Sequence, residues 1–138
     1  MRDVRADRLS ADDLATVQTC LDRFSGAVTG IQSAVVASVD GFAIAQAAGD
    51  HSGSSDRLAA MTSSMLALAK AVSRELLLGE LEVLMMEAAE GKVLMLSIPL
   101  PTRSLLLMAS CTRSCAIGNV LWNARQCSRD IHDRLANP

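Results

Sequence analysis

Apolar residues recur along this chain in two rhythms, and the changes from one to the other divide it into segments. Residues 1–9 are charged and aperiodic and read as a flexible leader. From Ser10 the rhythm is helical: Leu14, Val17, Leu21, Phe24 and Val28 fall three or four positions apart, with Asp12 and Asp13 in the first turn, where acidic groups complement the helix dipole. Gly26 and Gly30 bracket the end of this helix. Ile31 to Val39 is β-branched and almost free of charge, the pattern of a strand covered on both faces. Asp40-Gly41 separates it from a second apolar run, Phe42 to Ala47. Glycine accepts positive φ without penalty, so the two runs read as an antiparallel pair joined by a turn.

Residues 48–54 are a loop by composition. Ser54 or Ser55 then caps a long helix reaching to about Leu78, with Gly79 at its end. Its stripe is Leu58, Met61, Met65, Leu68, Val72 and Leu76. A second set, Ala59, Leu66, Ala69 and Leu77, carries the apolar surface beyond one side. One sheet covers only one side of a helix, so another body, most simply a second copy of the chain, is expected to cover more. Glu80 to Ala88 and Lys92 to Ile98 read as strands joined at Glu90-Gly91. Pro99-Leu100-Pro101 interrupts the ladder, because proline donates no hydrogen bond. Ser104 to Ser110 is the last strand. Its centre, Leu105 to Met108, is apolar on both parities and belongs in the middle of a sheet. Glu80, Glu82 and Glu87 place their strand nearer an edge. Thr112 or Ser114 caps a final helix bearing Ile117, Val120, Leu121, Ala124, Ile131 and Leu135. The order αββαβββα, two runs of antiparallel strands around a helix, defines an α+β layered class rather than βαβ winding, in one domain over residues 10–138.

Composition narrows the functions available. Half the residues are apolar, yet there are only two Phe, one Trp and no Tyr, so the core rests on aliphatic packing. Aromatics that line small-molecule pockets or stack on bases are nearly absent. A net charge of −2, from 13 basic and 15 acidic residues dispersed along the chain, gives no footprint for nucleic acid or an anionic membrane. No apolar run approaches the roughly 20 residues of a membrane-spanning helix, and the charged N-terminus does not read as a signal peptide. A soluble cytoplasmic location is the expectation, with no membrane insertion.

Several stretches, taken together in order and spacing, resemble the Roadblock (dynein light-chain type) family. They are Ala34 to Ala45 around Asp40-Gly41; Leu58-Ala59-Ala60 and Leu66-Ala67-Leu68-Ala69 in the middle helix; Lys92-Val93-Leu94-Met95-Leu96 after Gly91; and Ile117-Gly118-Asn119-Val120 with Ala124-Arg125 in the last helix. The resemblance covers about residues 10–130. It implies a five-stranded antiparallel sheet flanked by helices, in the Roadblock/profilin-like manner, that dimerises through its middle helix and an edge strand. It also implies a bacterial regulator of a Ras-like small GTPase. Residues 55–78 and 80–88 match the dimerising elements. The candidate interface residues are therefore Leu58, Met61, Met65, Leu68 and Val72 on the helix, with Leu81, Val83 and Met85 on the strand. The remaining methionines, Met86, Met95 and Met108, read mainly as core filling. Pro99 to Arg103 departs from the glycine-containing polar turn usual in the family, and the Cys111 to Cys115 turn is not a family requirement.

The motif search points away from catalysis. No phosphate-binding glycine motif and no nucleophile elbow is present, so no cofactor and no catalytic residue is expected. Asp50, His51 and Ser52 are adjacent in sequence and do not converge as a triad must. His132 reads as a solvated helix residue and Asp40 as turn chemistry. Cys111 and Cys115 have C-x3-C spacing, but no second ligand pair accompanies them, so no metal is expected; they read with Cys20 and Cys127 as buried free thiols. Arg57 and Arg74 are candidate GTPase-contacting charges of the arginine-finger kind, although a solvent-facing or dimer-rim role is the simpler reading. The leading expectation is a non-catalytic homodimeric module that binds and modulates a Ras-like GTPase. A structural scaffold assembling with other Roadblock-like chains or a motor is the alternative, and a small-molecule sensor a second one.

Overall fold

The computed structural model describes residues 9–49 and 54–136. The leader 1–8, residues 50–53 with His51, and residues 137–138 lie outside the described part. The elements are α1 (Ala11–Ala27), β1 (Ile31–Ser38), β2 (Ala43–Ala47), α2 (Ser54–Glu75), β3 (Leu84–Ala88), β4 (Gly91–Pro99), β5 (Ser104–Thr112) and α3 (Ile117–Ala136). The strands form one antiparallel sheet in the order β2-β1-β5-β4-β3. The class and element order are those expected. The all-apolar β5 is central, and the glutamate-bearing β3 is an edge.

The pleat divides the interior in two. Ala34 and Val36 of β1, Leu94, Leu96 and Ile98 of β4, and Leu105, Leu107 and Ala109 of β5 face α1 and α3. The alternate positions Val35, Ala37, Met95, Leu106 and Met108 face α2. A period of two thus serves two cores at once, which is why β1 and β5 are apolar on both parities. On the first face α1 contributes Val17, Cys20, Leu21 and Phe24, and α3 contributes Val120, Ala124, Cys127 and Ile131. The Ser10 side chain accepts from the Asp13 amide at 3.0 Å and caps α1 as its position predicts.

Four boundaries differ from the sequence reading. The β1–β2 connection is a loop of residues 39–42 with Gly41 at φ +92, not a two-residue turn at Asp40-Gly41. A side chain at Gly41 would press on the Ala60 backbone at 3.3 Å, so glycine also admits α2 close to the hairpin. The long helix stops at Glu75, and the third strand begins at Leu84 rather than Glu80. Residues 112–116 form a turn closed by the Cys115 amide on the Thr112 carbonyl, so neither Thr112 nor Ser114 caps α3.

Candidate functional site: the outward face of the middle helix and the β3 edge

Helix α2 lies against β1, β2 and β5. Ala59, Thr62, Leu66 and Ser73 are its buried positions. Thr62 returns its hydroxyl to the Leu58 carbonyl at 2.7 Å and Ser73 donates to the Gly79 carbonyl at 2.6 Å, so both bury a satisfied oxygen. The larger stripe faces away from the sheet. Leu68 is 69% exposed, and Met61, Val72 and Leu76 are exposed with it. Leu58 and Met65 are half-buried on its flank, packed on the α2-side core.

The C-terminus of α2 extends this surface. The Leu78 amide donates to the Ser73 carbonyl and the Leu77 amide to the Arg74 carbonyl, closing the last turn around Leu77 at φ +56. Glycine ordinarily fills such a left-handed position, whereas Gly79, also at positive φ, follows two residues later. Leu77 is 90% exposed, and Leu76 and Leu78 are exposed beside it.

The candidate strand residues separate. Leu81 packs on the α2-side core and Val83 on the α1/α3-side core. Met85 stands opposite Leu94 and Met86 opposite Val93. Cross-strand partners share a face. Met86 therefore projects on the α2 side of the sheet and Met85 on the other, both exposed on the outermost strand. Met86, Leu77 and Leu78 belong to the exposed surface without having been among the candidates. The parity of Met86 depends on a register invisible in one strand, and the placement of Leu77 and Leu78 on an early helix end. Met95 and Met108 fill the core.

The two candidate arginines are both exposed but lie in the first and last turns of α2, about 25 Å apart at 1.5 Å per residue. They do not converge on one point within a single chain.

The cysteines are all buried and free. Burial pushes the Cys127 thiol up to about 12, and the neighbouring Cys20 and Asp130 add to the rise. Burial also raises Cys20 and Cys111, the latter further through the neighbouring Cys115 thiol. These are neutral thiols, unsuited to nucleophilic work. Cys115 donates to the Thr29 carbonyl at 3.1 Å. His132 is half-buried rather than solvated; its Nδ1–H donates to the Pro99 carbonyl at 2.6 Å. Among the described residues no group of three His, Cys, Asp or Glu gathers to hold a metal ion, and no helix is long and apolar enough to cross a membrane.

An α+β sheet with two helices on one face, and a single helix turning a leucine- and methionine-bearing stripe outward on the other, defines the class. Residues 18–99 match the Roadblock/LC7 domain model, and the chain belongs to that family. Among solved structures it is similar to Myxococcus xanthus MglB, at 14% identity over 92% of each chain with a TM-score of 0.79. The gliding protein MglB of Thermus thermophilus superposes with a TM-score of 0.80 at 13% identity, covering 94% of this chain and 96% of that one. A Roadblock/LC7 domain from Streptomyces avermitilis gives 0.77 at 16% identity over 86% and 96%. A search of curated proteins by sequence finds no significant match.

Proposed function

We propose that this protein is a non-catalytic homodimeric regulatory module that binds a Ras-like small GTPase and modulates its nucleotide hydrolysis. The observation that carries the reading is the outward stripe of α2: Met61, Leu68, Val72 and Leu76 are exposed on a helix whose inward face is already satisfied. A contiguous apolar stripe of this kind marks an interaction surface. The edge strand β3 has an outer ladder unpaired among the described residues, with Met86 exposed on the face of the sheet that α2 covers and Met85 exposed on the other. Pairing the α2 stripes and β3 edges of two copies about a two-fold axis covers both at once, since a two-fold interface sets the same patch against itself. Family membership supports this use of the two elements, and one solved MglB structure is described as having a tetrameric arrangement.

In this reading the chain supplies position rather than covalent chemistry. The paired helices form a platform on which the GTPase's own residues are held, with Arg57 and Arg74 as charges at its two ends. The test is to mix the purified chain with the Ras-like small GTPases of its own organism, one at a time, and follow co-elution and GTP turnover. Co-elution in at least one nucleotide state with a changed hydrolysis rate is expected. Separate elution in the GTP-bound, GDP-bound and nucleotide-free states would contradict the proposal.

A further inference from the structure

Strand β4 is longer than the neighbour that covers it. It pairs with β5 through Pro99 opposite Ser104, but with β3 only as far as Met95 opposite Leu84. From Leu96 onward it therefore has a strand on its β5 side alone. Residues 79–82 leave the ladder there, and a cleft of about 950 Å³ lies between them and the free edge. A smaller hollow of about 140 Å³ continues it along Leu96 and Ser97 toward α3. The Pro99 carbonyl, at the far end, is already taken by His132.

The walls of this cleft are charged. Lys70 and Arg74, one turn apart on α2, reach it from one face of the sheet, and Arg125 and Arg129 of α3 from the other. None of these four cations forms an ion pair with another described residue. Glu80 and Glu82 stand on the outer bank, which leaves the cleft net positive. The Ser97 hydroxyl is buried on the free edge and is without a hydrogen-bond partner.

We infer that this cleft receives an extended acidic peptide segment of a partner protein, added as a strand along Leu96 to Ile98 of β4. A bare sheet edge is a template for main-chain pairing. A strand laid on it sends alternate side chains to opposite faces. Here both faces present cations, so acidic residues at even and at odd positions each meet a basic pair. A cleft made only for a small anion would need one converging cluster; these cations are divided by the plane of the sheet. The cleft adjoins the C-terminal end of the α2 surface and shares Arg74 and Leu77 with it, but Met61, Leu68 and Val72 of the outward stripe do not line it, and the inference does not rest on a GTPase being the partner.

Selection of a random dodecapeptide phage library on the full chain tests it. Enrichment of sequences bearing Asp or Glu at positions of both parities is expected. A selected peptide should shift the Ser97 and Ile98 amide resonances. The double variant Arg125→Glu, Arg129→Glu alters only exposed residues, so it keeps the wild-type fold and mass; it should bind that peptide about tenfold more weakly. Methylating alternate peptide nitrogens should abolish binding, because it removes main-chain donors while keeping the charge. The inference is overturned if no acidic peptide is enriched, or if the charge reversal or the N-methylation leaves affinity unchanged. It is equally overturned if the β4 amides do not move, or if pyrophosphate alone binds as tightly as the peptide and reproduces the shifts.

Discussion

At Gly30 the chain leaves α1 and enters β1 with φ +98, and a Cβ there would stand 2.5 Å from the Cys115 sulfur and 2.8 Å from the Thr112 hydroxyl. Both the backbone region and the space require glycine, so Gly30→Ala should cost about 1–3 kcal/mol in a urea melt. Gly26 offers the contrast: it lies in the last turn of α1 with open space around it, and Gly26→Ala should stabilise by about 0.5–1 kcal/mol. Leu77 is the reverse case, a bulky residue where glycine belongs. Leu77→Gly should raise the stability of the isolated chain by about 1 kcal/mol, read in the same melt, by relieving left-handed strain. The thiols set an alkaline limit. Cys127 is raised from its ordinary 9.0 to about 12, so the folded state holds its proton where the unfolded state has lost it. Stability from this group is intact below pH 9 and falls between 9 and 12 by up to about 1.4 kcal/mol per pH unit. Urea midpoints across that range should fall more steeply for the wild type than for Cys127→Ala; parallel curves would contradict the assignment.

Among the elements, α2 shows what periodicity can and cannot deliver. Its spacing marks a helix with more apolar surface than one sheet covers, and that is what the structure contains. Which of its two apolar faces turns inward is another matter. The large stripe through Leu58, Met61, Met65, Leu68, Val72 and Leu76 attracts attention, but the buried positions are Ala59, Thr62, Leu66 and Ser73, and of the stripe only Leu58 and Met65 reach the α2-side core. Hydropathy counts apolar residues but does not say which of two apolar faces meets the sheet. Strand β3 is shorter than its sequence pattern for a related reason: Leu81 and Val83 alternate with glutamates as a strand should, yet pack into opposite cores while leaving the ladder. The inward and outward faces predict opposite phenotypes. Leu66 is 1% exposed, and Leu66→Ala should cost about 2–5 kcal/mol. Leu68→Glu should remove self-association without unfolding the protomer, so its thermal midpoint should be independent of protein concentration whereas that of the wild type rises with concentration.

For the molecule as a whole, the sheet order β2-β1-β5-β4-β3 gives the two edges different fates. The β2 edge belongs to the short β1–β2 hairpin, whose inner positions Ala45 and Ala47 are buried beneath α1. The β3 edge exposes Met86 on the face of the sheet that α2 covers, so an unpaired ladder and exposed apolar residues both occur on the α2 side of the protein. The layers, the central place of β5 and the edge place of β3 were legible from parity and charge, since burial on two faces demands apolar residues at every position. The bare end of β4 was not, because it arises from a mismatch in length between two strands, each unremarkable alone. The central claim is that the outward face of α2 is made to be covered by a second copy. Multi-angle light scattering of the wild-type chain at tens of micromolar tests it most directly. The account predicts a mass of about 29 kDa, twice the 14.6 kDa of one chain, falling to a single chain for Leu68→Glu. A wild-type mass of one chain at that concentration would contradict it.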